Sequence, residues 1–551
     1  MGRSHCQTRW QILLWVGVLL LSGLLVPAGG VAIAPDPRFG VVAAHEAPWA
    51  AADLGVGWTT VPFRWDEIQP SGPADWNPPL SDEQLALEQA LGREVVGVLT
   101  GIPSWAADLT TGLPRGLETA PDDPENLWAA FVWTVVRQYA GRIDRWAVWE
   151  GPDRPENWPG SALDFAELLR VTWTAARRAN SRAVIHLGGI THWPDVLQGD
   201  PPFVRRLLDA LAADPQAPAR GFYFDVLTVD VYDQPESVYD LPVFYRRLLA
   251  EYGLQKGIWV ETGAPVSEGE GDGLLPEEQA AFIIQAIALG ISGGAERVAV
   301  YRMVDGVGES PYGLIGADGV PRPAFAACQV AATYLGGFRS AQWERRDDVS
   351  VVVVDRGAHV TRVTWARTPI TQTLMVPAQT TRALLVNARG DAEIVHPDRG
   401  YYFLTLPGCP GEEICRMGGM PLLLVEENGA GVAISLPPSP TAPGVTPPPP
   451  PTATPTLTPT PIPAATLTPT PSPTSPATAS PPAPPTPIAA SMPPAMIPEP
   501  ISVLLAGMLL GGMGVAGLAA RRRPRRKKNR RGFVAALGRR KTPPPISPQG
   551  D

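Results

Sequence analysis

The chain has 551 residues, 44% hydrophobic and 18% charged, with 65 Pro. That length suits a large domain plus at least one more, and so much Pro implies a non-globular part. The net charge of −9 divides unevenly: Arg521–Asp551 holds 12 Lys/Arg against one acid, so the residues before it are strongly acidic. An acidic body excludes nucleic acid as the partner. The four Cys lack metal-site spacing with His, and neither a metal nor an organic cofactor is implied.

In chain order, Arg3 and Arg9 precede an apolar run from Ile12 to Val26, and Ala32-Ile33-Ala34 follows as a small-x-small cleavage site. This is the order of a secretory signal peptide over residues 1–34, the alternative being an uncleaved anchor. Either way the body is expected to be exported.

Residues 35–340 alternate apolar runs with amphipathic ones. Strands are predicted at Phe39–Ala43, Gly57–Val61, Arg93–Thr100, Arg145–Glu150, Ala183–Gly188, Phe224–Val231, Lys256–Glu261 and Glu296–Tyr301. Helices are predicted at Pro48–Leu54, Ser81–Leu91, Pro124–Tyr139, Ala162–Ala179, Phe203–Ala212, Pro242–Tyr252, Pro276–Leu289 and Pro323–Leu335. Eight βα units in this length predict an α/β fold, a (β/α)8 TIM barrel, with a doubly wound sheet as the competitor. From Asp348 helical periodicity stops, and eight short strand-like runs between Val349 and Leu436 predict a small antiparallel β-sandwich over residues 341–436. Cys328 reads as a buried thiol, whereas Cys409 and Cys415 bracket a tight loop that an exported protein can close as a disulfide.

Residues 437–497 are Pro, Thr, Ser and Ala, with Thr456–Pro461 repeated as Thr466–Pro471. Such a tract cannot bury a core. As polyproline II, at ~3.1 Å per residue, it is a stalk of well over ~100 Å. Residues 498–531 combine Pro498-Glu499-Pro500, a charge-free run Ile501–Ala520 and an Arg/Lys cluster, and residues 532–551 form the tail. The run is long enough for one membrane crossing, and the cluster places the tail inside and the body outside. The combination resembles the PEP-CTERM sorting signal, which implies a sorting protease as partner. Continuation to Asp551 departs from that pattern and leaves a permanent membrane anchor as the alternative.

The chemistry is expected at the carboxyl ends of the barrel strands. Glu261 ends the seventh, in Trp259-Val260-Glu261-Thr262-Gly263, and Glu150 ends the fourth, in Arg145-Trp146-Ala147-Val148-Trp149-Glu150-Gly151-Pro152-Asp153. These strands face each other across a barrel mouth, and two facing carboxyls are the equipment of retaining glycoside hydrolysis. Trp65, Trp105, Trp149, Trp158, Trp193, Tyr232, Trp259 and Tyr301 fall in strand-end segments, where aromatic faces stack on sugar rings. His45 and Glu46, after the first strand, are further candidate contacts, as are Asp233 and Asp305 past later strands. For His45, His186 and His192 a structural role is the commoner one.

From Phe39 to Leu335 the chain resembles clan A glycoside hydrolases, of the family 39 and family 5 kind. Four pieces carry this: Phe63–Pro70 after the second strand, Trp146-x-x-Trp149-Glu150-Gly151-Pro152-Asp153 against the family's Trp-Asn-Glu-Pro, Asp230-Val231-Tyr232, and the Glu261 strand. The resemblance implies Glu261 as nucleophile with Tyr232 hydrogen-bonded to it; the strand-end reading adds Trp149, Trp65, Trp105, Tyr301 and His45 as substrate contacts. The motif is degenerate: Glu150 stands where the family has Asn, and Gly151 where it has the acid/base Glu. Three alternatives follow. A local bulge brings Glu150 into the role; Asp153 or Glu156 substitutes; or the acid/base is missing. The expectation is an exported, surface-anchored glycoside hydrolase acting on polysaccharide or glycoconjugate. The alternative is an inactive barrel serving as a carbohydrate-binding or adhesion module. The usual Arg past the second strand is also displaced, with Arg64 nearest, and the sixth-strand His of many relatives appears as Asp230 or Val231.

Overall fold

A computed structural model describes residues 35–232, 234–267, 273–409 and 417–427. Eight parallel strands close into a barrel in sequence order: β1 (Asp36–Val41), β2 (Val56–Arg64), β3 (Glu94–Thr100), β4 (Arg145–Val148), β5 (Val184–Ile190), β6 (Val226–Val231), β7 (Gly257–Thr262) and β8 (Arg297–Val300), with β8 pairing back onto β1. The (β/α)8 expectation therefore holds and the doubly wound sheet does not.

The helices follow from local sequence. The helix Ala162–Ala179 starts on a Ser161/Asp164 capping box and buries Phe165, Leu168, Leu169 and Val171 on its inner face. Pro276 and Pro323 open Pro276–Ser292 and Pro323–Leu335 at first-turn positions, where the missing N–H costs nothing. Two short helices at strand ends, Trp65–Ile68 and Trp193–Gln198, escape the sequence reading because a single turn is too short to show a period.

The barrel's lower end is closed by charge pairs. Glu94 accepts from Arg145 (2.8 Å) and Arg297 (2.6 Å), and both guanidinium groups lie over the Trp259 ring, at 5.1 and 4.2 Å. Above that plug the inward residues are small or slender at several strands, including Ala147, Thr228 and Ala299, and the interior stays open toward the mouth.

The second domain is antiparallel, as expected, but it holds a strand ahead of the first one read from the sequence at Val349. β9 (Ser340–Arg345) is an edge strand with only alternating partial burial, which conceals it in the sequence. It joins β10 (Val349–Asp355), β11 (His359–Ala366), β13 (Ala383–Asn387), β14 (Ala392–Val395) and β16 (Leu422–Glu427) in a sheet ordered β14-β13-β16-β11-β10-β9; β12 (Gln372–Pro377) and β15 (Tyr401–Leu406) form a two-stranded sheet. This domain docks on the last two barrel helices. Gln285 Nε2 donates to the Gly419 carbonyl (3.0 Å), Thr361 to that of Tyr334 (2.7 Å), and Arg356 to those of Gly336 and Thr333.

Cys328 is buried and free, its thiol pushed up to about 12 by burial. Cys409 is disulfide-bonded, whereas Cys415 lies outside the described residues. So do residues 1–34, the strand expected at Val432–Leu436, the stalk, the Pro-Glu-Pro segment and the Ile501–Ala520 run. Among the described residues no helix is long and apolar enough to cross a membrane.

Candidate active site

The mouth of the barrel opens into a cavity of about 660 Å³, whose walls include Glu150, Asp230, Glu261, Tyr232, Tyr301 and Tyr312. Its floor reaches down to Trp58, His186, Thr228 and Trp259. A space of this size takes a small ligand or a few sugar rings.

Glu261 is placed by β7. Side chains alternate along a strand, so Trp259 and Glu261 share the inner face. Glu261 stands beside Asp230 of β6 and Ala299 of β8 in the parallel register. The Thr60 hydroxyl of β2 donates to its carboxylate, which favours the charged form. Burial outweighs this, with a further contribution from the Glu150 charge, and the Glu261 carboxyl is pushed up to about 7.

Glu150 enters the cavity through a break in the strand rather than by continuing it. β4 ends at Val148, two residues before the sequence suggests. Trp149 then takes φ 72° and Gly151 φ 53°, both left-handed. Trp149 is held in that costly conformation by its own bonds: its N–H donates to the Leu99 carbonyl (3.0 Å) and its Nε1 to that of Asn157 (2.9 Å). The Gly151 N–H donates to Gly189 (2.9 Å), and Asn157 Nδ2 to the Glu150 carbonyl (3.2 Å). A Cβ at Gly151 would meet Asn157 Nδ2 at 2.7 Å. The two reversals bring Glu150 to the same cavity as Glu261, although regular alternation would separate Glu150 from the inner face. Its carboxyl is raised by the mass of protein around it and by the Glu309 charge, and lowered by Arg64.

The substitute acids do other work. Asp153 is buried, and its carboxylate accepts from Thr191 N, Thr191 Oγ1 and His192 N, at 2.7–3.1 Å, tying the loop after β4 to the end of β5. Glu156 is exposed and paired with Arg154 (2.7 Å). Neither Asp153 nor Glu156 lines the cavity that holds Glu261, so the expectation that one of them replaces the acid/base is corrected.

Of the aromatic residues read from the sequence, Trp149, Tyr232, Trp259 and Tyr301 line the cavity. Trp65 and Trp105 do not. Trp65 is fully buried in edge and stacked contacts with Trp105, Trp128 and Phe131, with Nε1 donating to Gln69 Oε1 (2.8 Å), and Trp105 donates to the Gln69 carbonyl (2.7 Å). They are packing beneath the wall, because β2 runs on to Arg64 and turns Trp65 into the helix layer. Trp158 packs on Trp149 (5.0 Å), and Trp193 stands on a surface turn.

His45 and Glu46 both line the cavity, Glu46 paired with Arg302. His192 bonds Tyr245 (2.9 Å) and Asp305 pairs with Arg322, so both are structural. Asp233 lies outside the described residues.

The sequence reading passes over several wall residues, Tyr312, Trp58 and Thr60 among them. Tyr312 completes a triangle of rings with Tyr232 (5.7 Å) and Tyr301 (5.4 Å). Its loop carries no periodic signal. Trp58 and Thr60 were legible as alternate inward positions of β2.

No protein-family model and no curated protein matches the sequence. The fold is similar to that of a family 39 glycoside hydrolase from Bacteroides cellulosilyticus WH2: TM-score 0.54 at 17% identity, covering 71% of this chain and 81% of that one. It is also similar to a GH30 endoxylanase from Clostridium papyrosolvens C71: TM-score 0.50 at 11% identity, covering 72% and 98%. At these identities the likeness is one of fold alone.

Proposed function

We propose that this chain is a glycoside hydrolase that cleaves polysaccharide or glycoconjugate with retention of anomeric configuration, and that it works outside the cell. The observation that carries the reading is the delivery of Glu150, by left-handed Trp149 and Gly151, into the cavity that holds Glu261. In the first step the Glu261 carboxylate attacks the anomeric carbon. Glu150, protonated, gives its proton to the departing glycosidic oxygen, so the C–O bond breaks as the glycosyl–Glu261 ester forms. In the second step Glu150, now a carboxylate, takes a proton from water, whose oxygen displaces Glu261 and restores both groups. The Glu150 carboxyl is raised from its ordinary value, the direction a general acid requires. Trp149, Tyr232 and Tyr301 supply faces and hydroxyls for the sugar, and His45 lies at the rim.

Export and surface attachment rest on the order of segments in the sequence: an apolar leader, a Pro/Thr stalk, and an apolar run ahead of a basic cluster. A sorting protease acting at Pro498-Glu499-Pro500 belongs to the same proposal. Protease shaving of intact cells tests it, with release of the barrel as the expected result.

Assays on a panel of aryl glycosides and polysaccharides test the chemistry. Glu261→Gln and Glu150→Gln are each expected to reduce turnover ~10²–10⁴-fold. Turnover unchanged in Glu261→Gln would remove the nucleophile. Glycan retention without turnover in the unsubstituted protein would favour the binding module.

A further inference from the structure

Three carboxylates of this cavity, Glu150, Asp230 and Glu261, have no ion-pair partner among the described residues, although the Arg64 charge acts on Glu150 and that of Arg154 on Asp230 from farther off. Asp230 and Glu261 are register partners on adjacent parallel strands, so their side chains stand side by side on the inner face. Asp230 Oδ2 lies 3.1 Å from the point a Cβ on Gly189 would occupy, and Glu150 Cα lies at the same 3.1 Å. The three acids thus cluster at one end of the cavity. Asp230 Oδ1 is buried and has no hydrogen-bond partner. Among the described residues neither Glu150, Asp230 nor Glu261 makes an ion pair, and each wall arginine is already engaged: Arg64 with Asp66 and Glu67, Arg154 with Glu156, Arg302 with Glu46 and Glu309. Burial raises Asp230 and Glu261, and neighbouring charge adds to it: Glu261, Glu150 and Asp153 act on Asp230, and Glu150 acts on Glu261, whereas Glu150 is raised by the protein packed around it and by Glu309.

A second feature points to a ligand. On the floor, Trp58 and His186 are each 1% exposed, and Trp58 Nε1 and His186 Nε2 have no partner. Both rings flank Trp259, at 4.8 and 4.5 Å between centroids, and both line the cavity. Buried polar groups left without partners are expensive. Here both rings face the cavity.

We propose that the glycan bound here carries a free amino group, held as an ammonium against Asp230 beside Glu261, with its hydroxyls reaching the floor. This deepens the hydrolase reading and rests on it. An ammonium supplies the donor that Asp230 Oδ1 lacks and the positive charge that three crowded carboxylates call for, while the sugar hydroxyls supply an acceptor for the Trp58 N–H.

The test compares aryl 2-amino-2-deoxyglycosides, in gluco and galacto forms, with their N-acetylated and 2-hydroxyl counterparts. kcat/KM is measured on the full protein, and binding is measured by calorimetry on Glu261→Gln. At least a tenfold preference for the free amine is expected. It should fade as pH rises through the pKa of the amine, and it should shrink in Asp230→Asn, whose folding is checked by circular dichroism. The unsubstituted protein decides the matter if that variant does not fold. Preference for the acetylated or hydroxyl forms overturns the ammonium site and leaves the hydrolase standing. Calorimetric binding of the amine with no turnover of any form does the reverse. Failure to bind the amine at all overturns this inference.

Discussion

At Trp149 and Gly151 the backbone is left-handed, at φ 72° and 53°, and the position of Glu150 depends on both. Restoring the family's residue order therefore does not restore its geometry. In the double substitution Glu150→Asn, Gly151→Glu, the new Glu carries ~1–2 kcal/mol of left-handed strain and a Cβ 2.7 Å from Asn157 Nδ2. The expected result is a lower Tm and turnover no better than that of Glu150→Gln; wild-type turnover would show that the site does not need this backbone. Glu261 gives a pH signature. Its folded carboxyl is raised to about 7 from an ordinary value of 4.5, so the neutral form is the one the fold favours. That stability is fully present below about pH 4.5 and is lost as pH rises through 7. Glu261→Gln should melt progressively higher than the unsubstituted protein between pH 5 and 8, by up to ~3 kcal/mol. An offset that does not change with pH would contradict the burial of this group. Because Glu150 contributes to the shift, Glu150→Gln should also lower the Glu261 pKa, read by carboxyl NMR.

The elements show where sequence reading works. The helices Ala162–Ala179, Phe203–Ala212 and Pro323–Leu335 are legible to the residue, because the apolar period is clear in each, with a capping box ahead of the first and Pro323 opening the third. β7 is legible as an apolar run that ends in a carboxylate. β4 is not, since its end is set by bonds to Leu99 and Gly189 on the two neighbouring strands and to Asn157 in the loop that follows, none of which a local pattern shows. The same holds for Asp153. As a residue near a Trp-Glu motif it reads as an acid, whereas its neighbours from β5 make it a staple. Asp153→Asn trades a charged acceptor of backbone N–H groups for an amide, and is expected to cost about 2–3 kcal/mol and to reduce kcat by displacing Glu150. Thermal melts and kinetics measured together check this. At the other end of the barrel, Arg297→Ala leaves Glu94 with Arg145 alone and strips one face of Trp259; lower stability with little change in KM is expected.

For the whole molecule, the barrel and the β domain share one apolar core that runs from Phe39 to Val425. Helix Pro276–Ser292 is buried along nearly its whole length, and the β domain covers part of it. The two should unfold in a single calorimetric transition, and deletion from Ser340 onward should leave an aggregation-prone barrel; two separated transitions would contradict the shared core. The division into barrel and sheet was legible from the change of period near Asp348. The first strand of the sheet was not, because β9 is an edge strand with little burial. The acid cluster was half legible. Glu150 and Glu261 stand out as strand-end carboxylates, but Asp230 gains its meaning only from its register with Glu261.

The central claim is that Glu261 forms a bond to the sugar while Glu150 moves the proton. Incubation with activated 2-deoxy-2-fluoro glycosides, followed by peptide mass spectrometry, tests it most directly. A stoichiometric glycosyl adduct on Glu261, formed far more slowly in Glu150→Gln unless the leaving group is highly acidic, is the predicted result. An adduct on another residue, or turnover with inversion and no adduct, would contradict it.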